Sequence, residues 1–420
     1  MMKKFFTLLI CMFSLLLSFT SCSDEAFDVD TVNKQTIFAF FPWTNNLTSS
    51  LRANVDSISA GIIAKKGLNN TRVLVFFSKS LNSSTLYDLQ YDESQKTVTP
   101  VALKEYEGQP YHSAEGLASI INDVKEQAEA LNYAMIIGCH GCGWTYADDW
   151  VSYPNFARPS NGSATTWQTP YSSSENFSGI QFGEDPEHPV TRFFGNVNNK
   201  DAAIDVNTLV EAIEKSNTKM QYILFDACYM GNVETAYELR NVTNYLIASS
   251  SEVMSLGLPY KTIWSSLNGT TPNYSNIVSS TVNFYANQEK DPCCNLAAID
   301  CRQLEKLASI MKEINSQYTL SSTVPLDSIV PLDGFSPTLS YDLGAYVDSL
   351  KPSGYLKDQF TTQLKATVKA AQTTEILYAA LKNPKHYTIK SYSGLSISDP
   401  STHSVAIKGR EKTAWWKATH

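Results

Sequence analysis

The sequence has few basic residues, and this scarcity limits the partners that the protein can bind. Its 420 residues include 33 Lys and Arg against 41 Asp and Glu, for a formal net charge of −8 at pH 7. Nucleic-acid-binding domains need a basic surface to face the phosphates, so the composition argues against nucleic acid as a partner. With 43% hydrophobic and 18% charged residues, the chain has a globular composition and can bury a full core.

Cysteines are too few to hold the fold together by disulfides. Of the eight cysteines, Cys11 and Cys22 lie in the N-terminal leader. The remaining ones are Cys139, Cys142, Cys228, Cys293, Cys294 and Cys301. Six cysteines in about 400 residues can link very little of the chain, so at least one is available as a reactive thiol.

The apolar run of residues 5–17 is too short to cross a membrane as a helix. It follows Lys3 and Lys4, which is the arrangement of a secretory signal peptide. We therefore predict a signal peptide over residues 1–21 and an exported protein.

Cys22 ends this leader and is a candidate lipid anchor. A Cys directly after small residues resembles a bacterial lipobox, in which the Cys is acylated and becomes the mature N-terminus, although Phe19 replaces the usual Leu. The acidic segment 23–25 resembles the export tag of surface lipoproteins in the Bacteroides group. We predict acylation of Cys22, a tether over residues 22–35, and a location at the outer membrane, with the cell surface as one possible face. A plain secretory signal with an incidental Cys is the alternative.

Beyond the leader, apolar strands alternate with amphipathic helices. Apolar residues at helical spacing predict one helix after the first strand, one before the third strand and one before the fourth strand. Ser113 and Asp205 are the predicted N-caps of the second and third of these helices. The predicted strands are 37–41, 73–77, 134–137, 222–225 and 245–248, with a hairpin over residues 86–101. Continuous apolar strands separated by helices are typical of a parallel sheet that is covered on both faces. Such α/β sheets place functional residues in loops at the carboxyl ends of the strands.

Two stretches break this pattern. Residues 144–203 lack periodicity and are rich in Ser, Asn, Gly and Pro, which predicts a functional or disordered loop insertion. From about residue 291 the spacing of apolar residues becomes looser. We predict a main domain over 36–290 and a mixed, partly helical subdomain over 291–420, with helices near 304–314 and 360–381. Residues 391–398 are expected to return a strand to the main sheet.

Two of the predicted strands end in reactive side chains. The third continues into Gly138-Cys139-His140-Gly141, and the fourth into Asp226-Ala227-Cys228. If these strands are neighbours in one parallel sheet, His140 and Cys228 emerge side by side. An imidazole within hydrogen-bond reach of a thiol is the arrangement that nucleophilic catalysis needs, although a Cys that closes a buried strand is more often inert core.

Two further features would support this chemistry. A helix that starts near Asn232 would favour the thiolate through its N-terminal dipole. Gly141 lets the backbone approach a substrate carbonyl, so its N–H and that of Cys228 are candidate oxyanion donors.

These motifs resemble the clostripain family of cysteine peptidases, relatives of the caspases, gingipains and legumains. The segment 138–144 resembles that family's His-Gly motif, and 226–239 its nucleophile motif and following helix. Segments 248–250, 341–344 and 394–397 are also similar, so the resemblance spans about residues 36–418. It implies a caspase-like αβα sandwich with a mostly parallel central sheet, a His140–Cys228 dyad and a peptide substrate.

The resemblance also bears on the substrate. It implies cleavage after Arg or Lys, as in the family that the sequence resembles. Asp226 matches one of the two acids of the pocket that receives the basic side chain. Leu256 stands where the second acid is usual, and Glu252 is nearby but out of register. Cleavage after Lys or Arg is therefore left open, with Lys favoured by a pocket that has one acid.

Family members are often cleaved in the loop between base and nucleophile, and here that loop has three basic residues. Arg158, Arg192 and Lys200 are the candidate processing sites. We predict a monomer that can cleave itself into two associated chains. A permanent surface insertion is the alternative.

The other cysteines and acids give weaker signals. Cys139 and Cys142 form a C-x-x-C pair, but its position after a strand is unlike that of a thioredoxin-type pair, and no ligand spacing for zinc accompanies it. Core packing or an adventitious disulfide is the preferred interpretation there, and a pairing of Cys293 or Cys294 with Cys301 lacks support. The acids at 148–149, 185 and 187 leave calcium binding open, with no metal site assigned and no cofactor required.

Two other functions compete with the peptidase. One is a surface lipoprotein that has lost catalysis and binds peptide or glycan, which the unusual Leu256 keeps open. The other is a thiol oxidoreductase that uses Cys139 and Cys142.

Overall fold

The structure is a computed structural model that describes residues 33–44, 46–108, 110–150 and 203–420. The predicted signal peptide, Cys22 and most of the tether lie outside the described residues, as do Arg158, Arg192 and Lys200. Asn33–His420 forms one compact unit. Within the described residues, no helix is both long and apolar enough to span a bilayer.

A nine-stranded sheet lies at the centre of this unit. Its strands are β1 (Gln35–Phe41), β2 (Thr71–Ser80), β3 (Ser83–Asp92), β4 (Thr97–Glu107), β5 (Tyr133–Gly138), β6 (Met220–Asp226), β7 (Thr243–Ala248), β8 (Asn295–Asp300) and β10 (Val368–Thr373). They are ordered β10-β8-β7-β6-β5-β1-β2-β3-β4. The five central strands from β7 to β2 are parallel, and the outer strands are antiparallel.

Helices cover both faces of the sheet. They are α1 (Thr48–Ala64), α2 (Ala114–Gln127), α3 (Val206–Lys215), α4 (Val233–Leu239), α5 (Tyr260–Leu267), α6 (Tyr274–Ala286), α7 (Leu304–Gln317), α8 (Leu343–Leu350), α9 (Gly354–Thr367), α10 (Ser404–Gly409) and α11 (Ala414–Thr419). Strand β1 shows why the central strands are apolar throughout: Phe38 and Phe40 belong to one core, whereas Ile37, Ala39 and Phe41 belong to the other. A strand with both faces buried needs apolar residues at every position. The predicted caspase-like αβα sandwich is therefore confirmed.

Two small antiparallel ribbons complete the fold. Strands β9 (Tyr341–Asp342) and β13 (Ser396–Ile397) form one of them, and β11 (Ile376–Tyr378) and β12 (His386–Thr388) form the other. The predicted return of residues 391–398 to the main sheet is therefore wrong, because β13 pairs with β9.

The predicted helix over 360–381 is correct only in its first part. The helix α9 ends at Thr367, and the chain continues directly as β10, which pairs with β8 at the edge of the sheet. Since β8 and β10 both follow residue 291, the C-terminal region extends the same sheet. The domain boundary at that residue stays a prediction.

The two predicted helix caps behave differently. Ser113 accepts a hydrogen bond from the backbone N–H of Gly116, as expected for the N-cap of α2. Asp205 occupies the N-cap position of α3 without capping it, and its carboxylate accepts from the backbone N–H of Ala147 at 3.1 Å. That contact ties the start of α3 to the loop after β5.

Candidate active site

Strands β5 and β6 are neighbours, and their register brings the two predicted catalytic residues to the same edge of the sheet. Gly138 at the end of β5 pairs with Asp226 at the end of β6. His140 and Cys228 each follow two residues later, so they leave the sheet at matching positions. The adjacency on which the sequence argument depended is therefore present.

The loops after these strands are in direct backbone contact. A Cβ on Gly141 would stand 2.2 Å from the carbonyl oxygen of Cys228 and 3.1 Å from its backbone nitrogen. Only glycine permits so close an approach. The contact fixes the loop of His140 against the loop of Cys228 and places Gly141 beside the backbone of Cys228.

The residue after Cys228 has a strained backbone. Tyr229 adopts a φ of +62°, in the left-handed region that costs a non-glycine residue about 1 to 3 kcal/mol. Three contacts hold it there. Its N–H donates to the carbonyl of Ser251 at 3.0 Å, its carbonyl accepts from Asn232 Nδ2 at 2.8 Å, and its hydroxyl donates to Glu252 at 2.9 Å.

Asn232 links this turn to the helix that follows. Its side-chain oxygen accepts from the backbone N–H of Thr235 at 2.6 Å, so it is the N-cap of α4, the helix that the sequence predicted to start near this residue. One amide thus caps the helix through its oxygen and holds the carbonyl of Tyr229 through its nitrogen.

The sulfur of Cys228 is buried against the segment after β7. Cys228 has 0% of its surface exposed. The backbone N–H of Val253 donates to Sγ at 3.1 Å, and the thiol is 3.7 Å from the carbonyl oxygen of the same residue. No peptide can reach the sulfur in this arrangement.

A small apolar cluster covers the thiol. We call it the cover cluster; with Cys228 it comprises Trp144, Trp150, Tyr229, Val253, Leu339, Val405 and Ala406. Trp150 packs against the rings of Phe335 and His403, with centroids 5.5 and 5.7 Å away. Its indole N–H donates to Thr145 Oγ1 at 3.1 Å. The cover therefore joins the segment 144–150 to the C-terminal region.

An ion pair fastens the same two segments. Lys412 Nζ lies 2.5 Å from Asp149 Oδ1. A Cβ on Gly409 would stand 2.7 Å from Asp149 Oδ2 and 2.9 Å from the ring of Trp144, so α10 packs closely on this segment. Burial raises the pKa of Asp205, which lies in the same group of charges.

Sequence reasoning missed one polar contact of the base. His140 Nε2 lies 2.8 Å from the side-chain oxygen of Asn46. Asn46 follows β1, the strand on the other side of β5. The rule that functional residues follow the carboxyl ends of parallel strands, extended to β1, could have found it.

The predicted pocket acid Asp226 is buried at the end of β6. It is 0% exposed, and its Oδ2 accepts from the hydroxyl of Tyr260 at 2.9 Å and from the backbone N–H of Leu258 at 3.3 Å. Leu256, where a second acid is usual, is half-buried, and its carbonyl accepts from Asn54.

Glu252 belongs to the same stretch of chain and is also buried. It accepts from the hydroxyl of Tyr229 at 2.9 Å and from the backbone N–H of Ala380 at 2.7 Å. It lines a cavity of about 10 Å³ together with Cys293 and Cys294. That space holds at most one water.

The remaining cysteines show no disulfide in the part of the chain that the structure describes, where all six cysteines are thiols. Burial raises the pKa of Cys142 to about 11 and those of Cys293 and Cys301 to about 12, which disfavours their thiolates. The chemistry of a C-x-x-C redox pair needs a low thiol pKa.

No metal centre is evident among the residues for which the structure gives positions, since no three His, Cys, Asp or Glu side chains converge. Asp148 is exposed, and Asp149 pairs with Lys412. The acids at 185 and 187 lie outside the described residues.

Comparison with known proteins gives a consistent set of relatives. The model of the clostripain family matches residues 179–407, a range that includes Cys228 but not His140. A secreted C11 cysteine protease from Bacteroides thetaiotaomicron, iotapain, is 36% identical over 93% of this chain and 99% of its own, with a TM-score of 0.78. No curated protein sequence matches.

Two other solved structures are similar. A clostripain from Bacteroides thetaiotaomicron in complex with a peptide inhibitor is 42% identical over 54% of this chain and 99% of its own, with a TM-score of 0.51. An inactive zymogen C11 protease from Parabacteroides distasonis is 22% identical over 93% of this chain and 99% of its own, with a TM-score of 0.72, and supports the fold.

Proposed function

The chain belongs to the clostripain family of cysteine peptidases, and from this premise we propose that Cys228 and His140 are its catalytic dyad. The observation that carries the proposal is the register of β5 and β6, which brings both residues to one edge of the sheet. The contact between Gly141 and the Cys228 carbonyl supports it.

The reaction is acyl transfer through a thioester. His140 takes the thiol proton, and the Cys228 sulfur attacks the carbonyl carbon of a peptide bond, so that the negative charge moves to the carbonyl oxygen. The backbone N–H groups of Gly141 and Cys228 donate to that oxygen. His140 then protonates the leaving amine as the C–N bond breaks. A water deprotonated by His140 hydrolyses the thioester and returns the thiol.

The buried sulfur supports a latent form of the enzyme. Trp144 and Trp150 share the cover cluster with Cys228, so we infer that they must move before substrate reaches the sulfur; Trp150 directly precedes the segment 151–202, and Trp144 lies a few residues earlier. We propose that self-cleavage of that segment at Arg158, Arg192 or Lys200 releases them and leaves two associated chains. SDS gels of wild type and Cys228→Ala test this, since identical banding rules out self-processing.

A basic residue is the preferred substrate side chain in this proposal, with Lys ahead of Arg. The peptide of the inhibitor BTN-VLTK-AOMK, bound by the clostripain that is 42% identical, ends in Lys. Asp226 supplies a buried carboxylate at the end of β6, and Leu256 leaves the pocket without the usual second acid. The carboxylate would exchange the hydroxyl of Tyr260 for the substrate ammonium.

Asp226→Asn tests this specificity. Loss of a buried charge partner lowers kcat/KM for peptides cut after Lys by about 30-fold or more, because the ammonium is left unpaired. Peptides cut after Leu serve as the internal control and keep their rate. Equal losses on both peptides would show that Asp226 is structural only.

Export places the enzyme outside the cytoplasm, as for its secreted relative. We propose that residues 1–21 are removed and that acylated Cys22 anchors the protein at the outer membrane. Labelling with radioactive palmitate should mark wild type and not Cys22→Ser. A labelled variant, or an unlabelled wild type, contradicts the anchor.

Active-site labelling tests the peptidase itself. A peptidyl acyloxymethyl ketone with Lys, Arg, Asn or Asp at its last position should label Cys228, and the preferred residue identifies the specificity. His140→Ala and Cys228→Ala should both lose labelling. Labelling at Cys139 instead would favour redox chemistry. The absence of labelling in every processed sample would favour a protein that binds peptide or glycan and has lost catalysis.

A further inference from the structure

Three neighbouring parallel strands bring polar residues to the same edge of the sheet. Strand β5 lies between β6 and β1, and the registers align their carboxyl ends. Cys228 follows β6, His140 follows β5 and Asn46 follows β1. The imidazole therefore lies between a loop that carries the thiol and a loop that carries an amide.

The hydrogen bond to Asn46 determines which ring nitrogen of His140 is the base. The amide oxygen is an acceptor only, so Nε2, at 2.8 Å, is the donor. A neutral imidazole with its hydrogen on Nε2 has its lone pair on Nδ1. Nδ1 is then the atom that takes the thiol proton. The bond strengthens when the ring is charged, because a cationic donor bonds more strongly than a neutral one.

The backbone that carries the amide is anchored on both sides. The backbone N–H of Asn46 donates to the carbonyl of Thr44 at 2.8 Å. The next residue, Leu47, is fully buried and precedes α1, and its carbonyl accepts from the N–H of Leu51. These contacts limit the positions that the Asn46 side chain can take, as preorganised catalytic groups require.

We propose that Asn46 is a positioning residue for the peptidase reaction, which fixes the Nε2–H tautomer of His140 and orients the ring toward Cys228. The inference rests on the proposed function. It extends the dyad to a triad of Asn46, His140 and Cys228, whose members follow three adjacent strands. Asn46 itself makes no bond to the substrate and acts through the imidazole.

Two substitutions separate this role from a structural one. Asn46→Ala removes the acceptor, so kcat on a fluorogenic peptide ending in Lys falls about 10- to 100-fold with KM nearly unchanged. Asn46→Asp keeps an acceptor and adds a charge, so it retains most of kcat. The alkaline limb of the pH profile reports the pKa at which the imidazolium loses its proton. This pKa falls in Asn46→Ala and rises in Asn46→Asp, because the acceptor stabilises the cation.

Controls make the outcomes distinct. Asn287→Ala removes an amide that donates only within its own helix end, and its kinetics should equal those of wild type. A wild type that cuts no peptide and is not labelled at Cys228 refutes the proposed function. An active wild type with kcat and alkaline limb unchanged in Asn46→Ala refutes the positioning role. If Asn46→Ala does not fold, the test rests on Asn46→Asp. An alkaline limb at the same pH in Asn46→Asp as in wild type then refutes the positioning role.

Discussion

The backbone of Val253 contacts the sulfur of Cys228 twice. Its N–H donates to Sγ at 3.1 Å, and its carbonyl oxygen lies 3.7 Å from the same atom, within reach of the thiol hydrogen. A donor on sulfur favours the thiolate, whereas an acceptor retains the proton. The segment after β7 therefore holds the Cys228 sulfur in place, and access to that sulfur depends on the residues that cover it.

The first prediction concerns the ion pair between Lys412 and Asp149. Lys412→Ala removes the charge that fastens the segment before residue 151 to the C-terminal region, so the cover opens more often. We expect labelling of Cys228 by a peptidyl ketone to become about two- to fivefold faster, as an ion pair whose lysine is half-exposed contributes about 1 kcal/mol. Mass spectrometry of timed samples measures this. Lys408→Ala, on the same segment, is the control, and equal rates in all three proteins would contradict the prediction.

The second prediction concerns the close contact of Gly141 with the Cys228 carbonyl. In Gly141→Ala a methyl group would stand 2.2 Å from that oxygen, so the two loops must separate. A displacement of about 1 Å at reacting groups costs about 100-fold in rate, and kcat/KM should fall by that order.

The matched control is Gly354→Ala at the start of α9, where a Cβ meets no atom within 4 Å. Its kcat/KM and melting temperature should stay at the wild-type values. Full activity in Gly141→Ala would mean that the loops are not held by this contact.

The central strands could be predicted, and His140 and Cys228 could be placed at the same edge of the sheet, because both depend on local patterns. Strands buried on both faces are apolar throughout, and the residues at their ends stand out for that reason. Strand β10 could not be predicted, because Val368–Thr373 continues the pattern of a helix and becomes a strand only by pairing with β8. Neither could the cover over Cys228, since Trp150 and His403 meet only through tertiary packing.

The third prediction separates the two roles of Asn232. It caps α4 and also holds the carbonyl of the strained Tyr229. Asn232→Ala should lower the free energy of unfolding by about 1 to 2 kcal/mol and also lower kcat, because the turn after the nucleophile loses a restraint. Urea unfolding and steady-state kinetics measure the two effects.

Asn273→Ala is the matched control, because Asn273 caps α6 in the same way through the N–H of Asn276. It should lose similar stability and keep kcat. If both variants keep kcat, the restraint on Tyr229 has no catalytic role.

The last prediction concerns Glu234, a buried carboxyl in the first turn of α4. It is 1% exposed, and one of its oxygens accepts from the backbone N–H and the hydroxyl of Ser398 at 2.8 and 2.5 Å. Burial raises its pKa to about 7, although the bonds from Ser398 act in the opposite direction. Burial, and then the charge of Glu234, raise the pKa of the neighbouring Asp399 as well.

The pKa shift makes stability depend on pH in a defined direction. The folded state binds the Glu234 proton more tightly than the unfolded chain does, so the stabilisation is fully present below about pH 4.5 and is lost as pH rises through about 7. Glu234→Gln keeps the oxygen that Ser398 contacts and removes the charge. Relative to wild type it should gain stability on the order of 2 kcal/mol near pH 8 and little near pH 5. Urea midpoints at the two pH values measure the difference.

Glu305→Gln provides the opposite case, because Arg240 lowers the pKa of the Glu305 carboxyl. Removing the charge of Glu305 should therefore cost stability near pH 8. A gain for Glu234→Gln that is the same at both pH values would show that the carboxyl does not titrate in this range.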